Sequence, residues 1–375
     1  MKAALLKKTF ALIFLITGFI LIFFFLVTSG DTVNNLDYNN RLLTREQKDL
    51  IYNHMKQYPD KTRMALAFIT GDSCVFYGII KDNDTVRVIE NKNSLFEIGS
   101  ITKVFTTTLL ASYVLDSALT TDRNINEDLD FELNDNIKIS YKELANHTSG
   151  LPRRPPGFVF TGTASMRNPY KYFTTEKLEK YLAEKMKVDS SGGAKYEYSN
   201  LGMGILGYVL CSKAKKNYET LLQERIFSKY GLTHTTTVNG NINGNLVAGC
   251  DPFGRKTLNW DLASLEAACS IVSSVSDLSR FVIAQFDTAN AELSLTRETT
   301  FVIDSTLEVG LGWHILKDKS ENKWYWHNGG TGGYRSSLVF DSENKKGVII
   351  LTNISTIHPK SKYIDGLCFE LMKRM

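Results

Sequence analysis

Strand-forming and helix-forming patterns occupy different parts of this chain, and that division most limits the folds it can adopt. Two β-rich runs, 64–70 and 74–80, are separated by Gly71-Asp72-Ser73, which is typical of a hairpin. After Gly310 the pattern is again that of strands, at 311–316, 323–327, 335–341 and 348–352. Helical spacing of apolar residues predicts helices at 46–58, 100–119, 175–186, 219–232, 262–286 and 359–375. We therefore expect an α/β (α+β) fold: an antiparallel sheet from N- and C-terminal segments, flanked by helices, with a helical subdomain at 101–300 inserted.

An uncharged apolar run extends from Phe10 to Val27, after three lysines in the first eight residues. Its length falls within the roughly 17–25 residues that a membrane-spanning helix needs. The run is either an uncleaved anchor or a long signal peptide, and the preceding positive charge favours a cytoplasmic N-terminus. We expect 1–8 to be a cytoplasmic tip, 9–28 a transmembrane anchor or signal peptide, 29–45 a polar linker and 46–375 one domain. That domain would lie outside the cytoplasm, periplasmic or extracellular, tethered to the membrane or secreted.

The composition argues against several classes of protein. The net charge is only +4, and no basic stripe with interleaved aromatic residues occurs, so nucleic acid is not an expected partner. The five cysteines are scattered and odd in number, which favours buried free thiols over a disulfide framework. The six histidines lack the spacing of a zinc site, so neither a metal nor another cofactor is predicted. The sequence does not indicate an oligomeric state.

Ser100 and Lys103 form a Ser-x-x-Lys pattern at the start of a predicted helix. Residues three apart lie on one face of a helix, with Cβ atoms about 5–6 Å apart, so the hydroxyl and the amine would meet. The unpaired N–H groups of a helix N-terminus favour an oxyanion and disfavour a protonated amine. Burial among Ile101, Val104 and Phe105 would lower the pKa of the lysine further. A neutral amine beside a serine activates a nucleophile, although so short a pattern also occurs by chance.

Two other short motifs carry polar groups at turns. Tyr198-Ser199-Asn200 comes directly before a glycine-containing apolar helix, so a turn there would present a phenol and an amide. His327-Asn328-Gly329-Gly330 lies at the end of a predicted strand, where glycines allow a ligand to approach the backbone. A third polar segment, His147-Thr148-Ser149 before Gly-Leu-Pro, has the composition of a loop rather than of a second nucleophile pair.

Taken together, the three motifs resemble those of the penicillin-recognising serine hydrolases, in particular the class C β-lactamase and D-Ala-D-Ala peptidase family. That family carries S-x-x-K, Y-x-N and K-T-G or H-x-G in this order. The flanking segments L-A-N-H-T-S-G-L-P, Y-S-N-L-G-M-G-I-L-G and W-H-N-G-G-T-G-G-Y-R-S are also similar to the family. The resemblance covers roughly residues 46–355 and implies a β-lactamase/transpeptidase-like fold. The G-x-S-x-G motif of the α/β-hydrolases is absent.

The resemblance implies a role for each matched residue. Ser100 would be the nucleophile that forms an acyl-enzyme, Lys103 would hold its proton network, and Tyr198 would be the general base, alone or by shuttling with Lys103. Tyr196 is the rival base, but only Tyr198 has an asparagine two positions later. Asn200 would hydrogen-bond the substrate amide and Lys103. The other implied substrate-binding residues are His327, Asn328, Gly329 and Gly330, and the backbone N–H groups of Ser100 and Gly330 would form the oxyanion hole.

The third motif departs from the lysine form because it begins with His327. A histidine with a pKa of about 6.5 is mostly neutral at pH 7, so this position would not supply a permanent cation for a carboxylate. Arg335 would either replace that charge or be an ordinary exposed strand residue. We therefore expect an exported serine hydrolase that acts through acyl-Ser100 on an ester, an amide or a D-amino acid peptide. Two alternatives stay open: a true class C β-lactamase, and a catalytically silent penicillin-binding-like protein.

Overall fold

The computed structural model of the chain describes residues 32–156, 168–189, 192–238, 240, 242, 245–317 and 322–375. The apolar run at 10–27, and with it the predicted anchor or signal peptide, lies outside these residues. Across the described ranges, no helix is both long enough and apolar enough to cross a bilayer.

A ten-stranded sheet combines both ends of the described chain. The strands are β1 Val33–Asn35, β2 Arg63–Thr70, β3 Ser73–Asp82, β4 Thr85–Ile89, β5 Phe96–Glu97, β6 Thr236–Thr237, β7 Ile271–Ser273, β8 Phe301–Val302, β9 Leu307–Val309, β10 His314–Lys317, β11 Lys323–Gly330, β12 Arg335–Asp341 and β13 Lys346–Thr352. The large sheet has the order β1-β4-β3-β2-β13-β12-β11-β10-β9-β8, and β5-β7-β6 form a small second sheet. Strand β2 pairs with β13, so the predicted antiparallel sheet from N- and C-terminal segments is confirmed. Only the β1–β4 pairing of these described strands is parallel.

Helices cover both faces of the large sheet. They are α1 Arg45–Met55, α2 Thr102–Leu115, α3 Tyr141–Ala145, α4 Thr175–Glu184, α5 Asn200–Ala214, α6 Tyr218–Leu222, α7 Glu266–Cys269, α8 Val275–Gln285, α9 Ala291–Arg297 and α10 Tyr363–Met372. Alternate residues of β2 enter different cores, as the period of a strand requires. Ala65, Ala67 and Ile69 face the larger core, which contains the helices between β5 and β8. Leu66 and Phe68 face a smaller core formed with α1 and α10.

Helix α2 is buried between the sheet and the helical region, as its nearly continuous apolar sequence predicts. Helix α5 approaches α2 and the segment around α7 closely. A Cβ atom on Gly204 would lie 2.2 Å from Leu265, and one on Gly207 would lie 2.1 Å from Ala267. The glycines of α5 therefore permit close packing of the chain that carries Ala267 to Cys269, which borders the site described below.

Short strands account for the main differences from the predicted elements. Residues 33–35, within the predicted linker 29–45, form β1 and pair with 85–87 of the unpredicted strand β4. Residues 271–273, within the predicted helical span 262–286, form β7. The predicted strand 311–316 is replaced by β9 and β10 on either side of a turn in which Gly312 has φ 79°. Strands of two or three residues are too short for a periodic pattern, so their pairing partners determine them.

Candidate active site

Ser100 and Lys103 meet at the start of α2. Gly99 adopts φ 54°, which turns the chain out of β5 and into a helical turn that holds Ser100. The Lys103 amine donates to the Ser100 hydroxyl over 3.0 Å and to the backbone oxygen of Ala268 over 2.9 Å. Lys103 is fully buried, and burial lowers its pKa to about 8, although the neighbouring Cys269 acts in the opposite direction. A sizeable fraction of this amine is therefore neutral near physiological pH, beside the hydroxyl.

Tyr198 completes a triangle with these two residues. Burial raises the pKa of its phenol well above the usual range, and a hydrogen bond with the Ser100 side chain partly opposes that effect. The Lys103 amine lies 4.9 Å from the centre of the Tyr198 ring. The rival Tyr196 instead forms a hydrogen bond of 2.9 Å with Nε2 of His314. The phenol that reaches the nucleophile is therefore that of Tyr198.

Three buried imidazoles surround the Tyr198 ring. The ring centres of His147, His327 and His314 lie 4.5, 6.3 and 6.4 Å from that of Tyr198. Burial lowers the pKa of His314 to about 4 and holds the pKa values of His147 and His327 well below the usual range. Nδ1 of His147 also accepts a hydrogen bond of 3.3 Å from the backbone of Ser199. His147 therefore supports the Tyr198 turn, in agreement with its interpretation as part of a loop and not of a second nucleophile pair.

Asn200 has a different hydrogen bond from the one implied by the resemblance. Its Nδ2 donates to the hydroxyl of Tyr170 over 3.0 Å. Lys103 is hydrogen-bonded to Ser100 and Ala268 instead, so the expected contact between Asn200 and Lys103 is wrong. The buried Oδ1 atom of Asn200 has no partner among the described residues, and Asn200 lines the same cavity as Ser100. That oxygen is available to accept a hydrogen bond from a substrate N–H.

The end of β11 lies against the turn that carries Ser100. A Cβ atom on Gly329 would lie 1.9 Å from the backbone oxygen of Ile98, and one on Gly99 would lie 2.5 Å from the backbone nitrogen of Gly330. Only the absence of side chains permits this approach. Pairing with β10 covers Lys323 to Trp326, whereas pairing with β12 continues to Gly330. One edge of residues 327–330 therefore faces the cavity.

The side chain of His327 is not part of the cavity wall. It is 1% exposed, and its Nδ1 atom is 2.7 Å from the backbone oxygen of Asn328. His327 therefore lies beside Tyr198, and its implied contact with substrate stays a prediction. Asn328 does line the cavity, and its Nδ2 donates to Asp365 over 3.0 Å. Arg335 forms an ion pair with the same carboxylate, so it is neither an ordinary exposed residue nor a free cation.

The cavity beside Ser100 has a volume of about 410 Å³. Its walls include residues that no motif identified: Arg153, Tyr170, Trp260, Cys269 and His314. The sulfur of Cys269 lies 3.4 Å from the Ser100 hydroxyl, so this buried thiol belongs to the site. Among the residues described here, no cluster of histidine, cysteine or acidic side chains could hold a metal ion.

Comparison with known proteins agrees with this geometry. The model of the Beta-lactamase family matches residues 53–367. The D-alanyl-D-alanine-carboxypeptidase/endopeptidase AmpH of Escherichia coli (strain K12) is 31% identical over 185 residues, which are 47% of this chain and 45% of that protein. A beta-lactamase of Pseudomonas fluorescens is 25% identical over 283 residues, covering 72% of this chain and 74% of that protein. The chain thus spans less than half the length of the AmpH protein.

Solved structures show the same fold. A class C beta lactamase from Rhodobacter sphaeroides matches with a TM-score of 0.72 and 16% identity, covering 88% of this chain and 99% of that one. A beta-lactamase/D-alanine carboxypeptidase from Yersinia pestis matches with a TM-score of 0.70 and 24% identity, covering 89% and 99%. Because the family match extends over most of the chain and includes all three motifs, the protein belongs to the beta-lactamase family of serine hydrolases.

Proposed function

We propose that this protein hydrolyses an ester or a D-amino acid peptide through an acyl-Ser100 intermediate. The observation that carries the proposal is the contact of Ser100 with both a buried amine, Lys103, and a buried phenol, Tyr198. A serine hydroxyl is a weak nucleophile until a neighbouring base takes its proton. With a pKa of about 8, Lys103 is neutral in about a tenth of the molecules at pH 7 and can accept that proton.

Tyr198 serves in this proposal as a relay rather than as a phenolate base. Its raised pKa keeps the phenol protonated at neutral pH, so it can donate a proton but cannot take the first one. Lys103 removes the proton of Ser100 as the oxygen attacks the carbonyl carbon. Tyr198 then protonates the leaving group and recovers a proton from Lys103. In the second half of the reaction the proton transfers run in reverse. Water attacks the carbonyl carbon of the acyl-enzyme, the acyl group leaves as an acid, and Ser100 regains its proton.

The developing oxyanion lies between the backbone N–H groups of Ser100 and Gly330. The close approach of β11 to Gly99 supports this pairing, because it places the backbone nitrogen of Gly330 beside the turn that carries Ser100. Loss of one such donor typically costs about 10²–10³ in rate. The free edge of 327–330 would hold the substrate backbone as an added strand, with Oδ1 of Asn200 accepting its amide N–H.

The preferred substrate class is a peptide or ester rather than a β-lactam. His327 is neutral and buried, so the third motif itself supplies no cation for a substrate carboxylate. The similarity to the AmpH carboxypeptidase/endopeptidase supports a D-amino acid peptide. The similarity to proteins named beta-lactamase keeps β-lactam hydrolysis as the second candidate. Turnover of nitrocefin well above that of p-nitrophenyl esters and D-alanyl peptides would favour that candidate.

Covalent labelling tests the acyl-enzyme directly. A fluorescent penicillin or fluorophosphonate should label the full chain, and mass spectrometry should place the adduct on Ser100. The Ser100→Ala variant should not be labelled, because it lacks the attacking oxygen. Equal labelling of both proteins would reject the assignment. A folded wild type without label and without a burst on any activated ester would favour the catalytically silent alternative.

We also propose that the domain acts outside the cytoplasm. The proposal rests on the apolar run from Phe10 to Val27 and the lysines before it. A tagged full chain in spheroplasts or intact cells should be digested by added protease from the C-terminal side. If the whole chain were protected until the cells are lysed, export would be contradicted. In a separate fractionation, a tag found only in the membrane fraction would favour the anchor over a cleaved signal.

A further inference from the structure

We infer that Arg153 recognises a carboxylate on the leaving-group side of the substrate, so that the enzyme prefers peptides or esters whose leaving group ends in a free acid. The inference rests on the proposed acyl-Ser100 chemistry and adds to it the residue that selects the substrate. Arg153 is in none of the three motifs, and it supplies the positive charge that the third motif lacks.

The cavity has a clear electrostatic bias. Its described walls include three arginines, Arg153, Arg154 and Arg335, and no aspartate or glutamate. Around Ser100 the imidazoles are neutral, as burial lowers the pKa values of His147, His314 and His327. Arginine is therefore the only cationic residue type in these described walls, and an anionic ligand is favoured over a neutral or cationic one.

The three arginines are not equivalent. The guanidinium of Arg335 is already neutralised by Asp365, and its side chain is only 11% exposed. Arg153 forms no ion pair with any described residue and is exposed at the cavity wall. Its guanidinium carbon lies 4.9 Å from the centre of the Tyr198 ring. An uncommitted planar guanidinium binds a carboxylate through two parallel charge-assisted hydrogen bonds, without first breaking an ion pair.

The backbone around Arg153 is fixed to the second motif. The N–H of Asn200 donates to the backbone oxygen of Arg153 over 3.0 Å, and the hydroxyl of Ser199 donates to that of Pro152 over 2.7 Å. The backbone at Pro152 and Arg153 is therefore held in a fixed position relative to Tyr198. Holding a binding residue in place before the ligand arrives reduces the entropy lost on binding.

The position of Arg153 identifies which end of the substrate it meets. Tyr198 delivers the proton to the leaving group, so the leaving group must lie beside this phenol. Because Arg153 lies over the same ring, its guanidinium meets the leaving-group side and not the acyl side. A carboxylate one residue beyond the scissile bond is the C-terminus of a peptide, so the geometry favours removal of a terminal residue over internal cleavage.

The test uses two thioesters of one acyl-D-alanine that differ only in the leaving group, mercaptoacetate in one and mercaptoacetamide in the other. We expect the full-length wild type to show a higher kcat/KM for the acid. In Arg153→Gln, the acid-to-amide ratio of kcat/KM should fall by about 10–100-fold, the usual effect of losing a hydrogen bond to a charged group. Arg153→Lys should retain part of the ratio because it keeps the charge. Arg87→Gln removes the same charge from an exposed residue of β4 that does not line the cavity, and it should change the ratio by less than about threefold.

The ratio separates recognition from general damage. If Arg153 only supports Tyr198 or the fold, Arg153→Gln slows both thioesters alike, the ratio stays at its wild-type value and the inference is rejected. An equal fall of the ratio in Arg87→Gln would also reject it in favour of a diffuse positive field. Failure of the proposed function has a different signature, since the wild type would then lack Ser100 labelling altogether. Normal labelling without preference for the acid overturns only the role of Arg153.

Discussion

Lys103 sets the pH range in which the proposed reaction can run. Burial lowers the pKa of its amine to about 8, and only the neutral form can take the proton of Ser100. We expect kcat/KM for a neutral ester to rise tenfold per pH unit below about 8 and to level off above it. The rate at pH 6 should thus be about a hundredfold below the plateau.

Substitution of the lysine provides the control for that profile. Lys103→Met keeps an unbranched apolar side chain in a fully buried position, so the fold should survive. The rate should fall by about 10²–10⁴-fold and lose the limb near pH 8. If the rate of Lys103→Met still rose with pH up to about 8, as expected for the wild type, another group would be responsible for that titration. The measurement is a pH–rate profile from pH 5.5 to 9.5 for both proteins.

Glu97 carries a pH effect on stability rather than on catalysis. Burial raises its pKa to about 7, although Asn259 and the backbone of Trp260 donate hydrogen bonds to Oε1. A carboxyl group with a raised pKa in the folded state stabilises the protein below its unfolded pKa, near 4.5, and loses that contribution as pH rises through about 7. The loss amounts to about 3 kcal/mol at pH 8.

Glu97→Gln should therefore stabilise the protein at pH 8 and have little effect at pH 5. The amide keeps the oxygen that accepts from Asn259 and Trp260, and it cannot ionise. Urea unfolding of both proteins at the two pH values measures the difference. If the substitution destabilised the protein equally at both, ionisation of Glu97 would not be the cause.

At this scale, sequence patterns identify residues whose partners are close in the chain. Ser100 and Lys103 share one helical turn, and their contact was predicted from spacing alone. Cys269, 169 residues beyond Ser100, has its sulfur against the same hydroxyl. Arg153 and His314 likewise reach Tyr198 through the fold. No local period relates such positions, so only the packing of β10, α7 and the loop after α3 brings them together.

At the level of elements, the site depends on how closely β11 lies against the Gly99 turn. Gly329→Ala would place a methyl group 1.9 Å from the backbone oxygen of Ile98, which cannot rotate away, and 2.5 Å from the Oγ atom of Ser336. The strand must move, which displaces Gly330 from Ser100. We expect loss of one oxyanion donor, hence about 10²–10³ in acylation rate. Rates of labelling by a fluorophosphonate give the measurement.

Gly366→Ala is the matched control, since it makes the same change in α10. A Cβ atom there meets no described atom within 4 Å. Alanine is a better helix former than glycine, so this variant should gain about 0.5–1 kcal/mol of stability and label at the wild-type rate. Normal labelling of Gly329→Ala would mean that the end of β11 does not form the oxyanion hole.

The elements themselves were predictable where they are long. Strands β2, β12 and β13 have continuous apolar or alternating sequences, and the helices α1 and α4 have clear apolar faces. The short strands β1 and β7 gave no such signal, because two or three residues cannot establish a period. Strand β7 is specified by its neighbours, since Val272 pairs with Glu97 on one side and with Thr236 on the other.

Across the whole molecule, the C-terminal helix α10 supports the strands that form one wall of the cavity. Asp365 of α10 accepts from Asn328 of β11 and pairs with Arg335 of β12. Burial raises the pKa of this carboxyl, and Arg335 acts against that rise. In the described structure, Oδ1 of Asp365 and Nε of Arg335 are buried without partners, so the pair is incompletely hydrogen-bonded. Such a pair contributes little net stability, but either half alone is an uncompensated buried charge.

A double-mutant cycle tests this description of the pair. Asp365→Leu and Arg335→Met should each lower the free energy of unfolding by about 3–5 kcal/mol, because each leaves one buried charge without its partner. The double variant replaces both charges by apolar side chains, so it should lose less than either single variant does. Urea unfolding of the four proteins at pH 7.5 gives the interaction energy. Additive losses would mean that the two charges do not compensate each other and that α10 is held by its other contacts, among them the apolar core that it shares with α1.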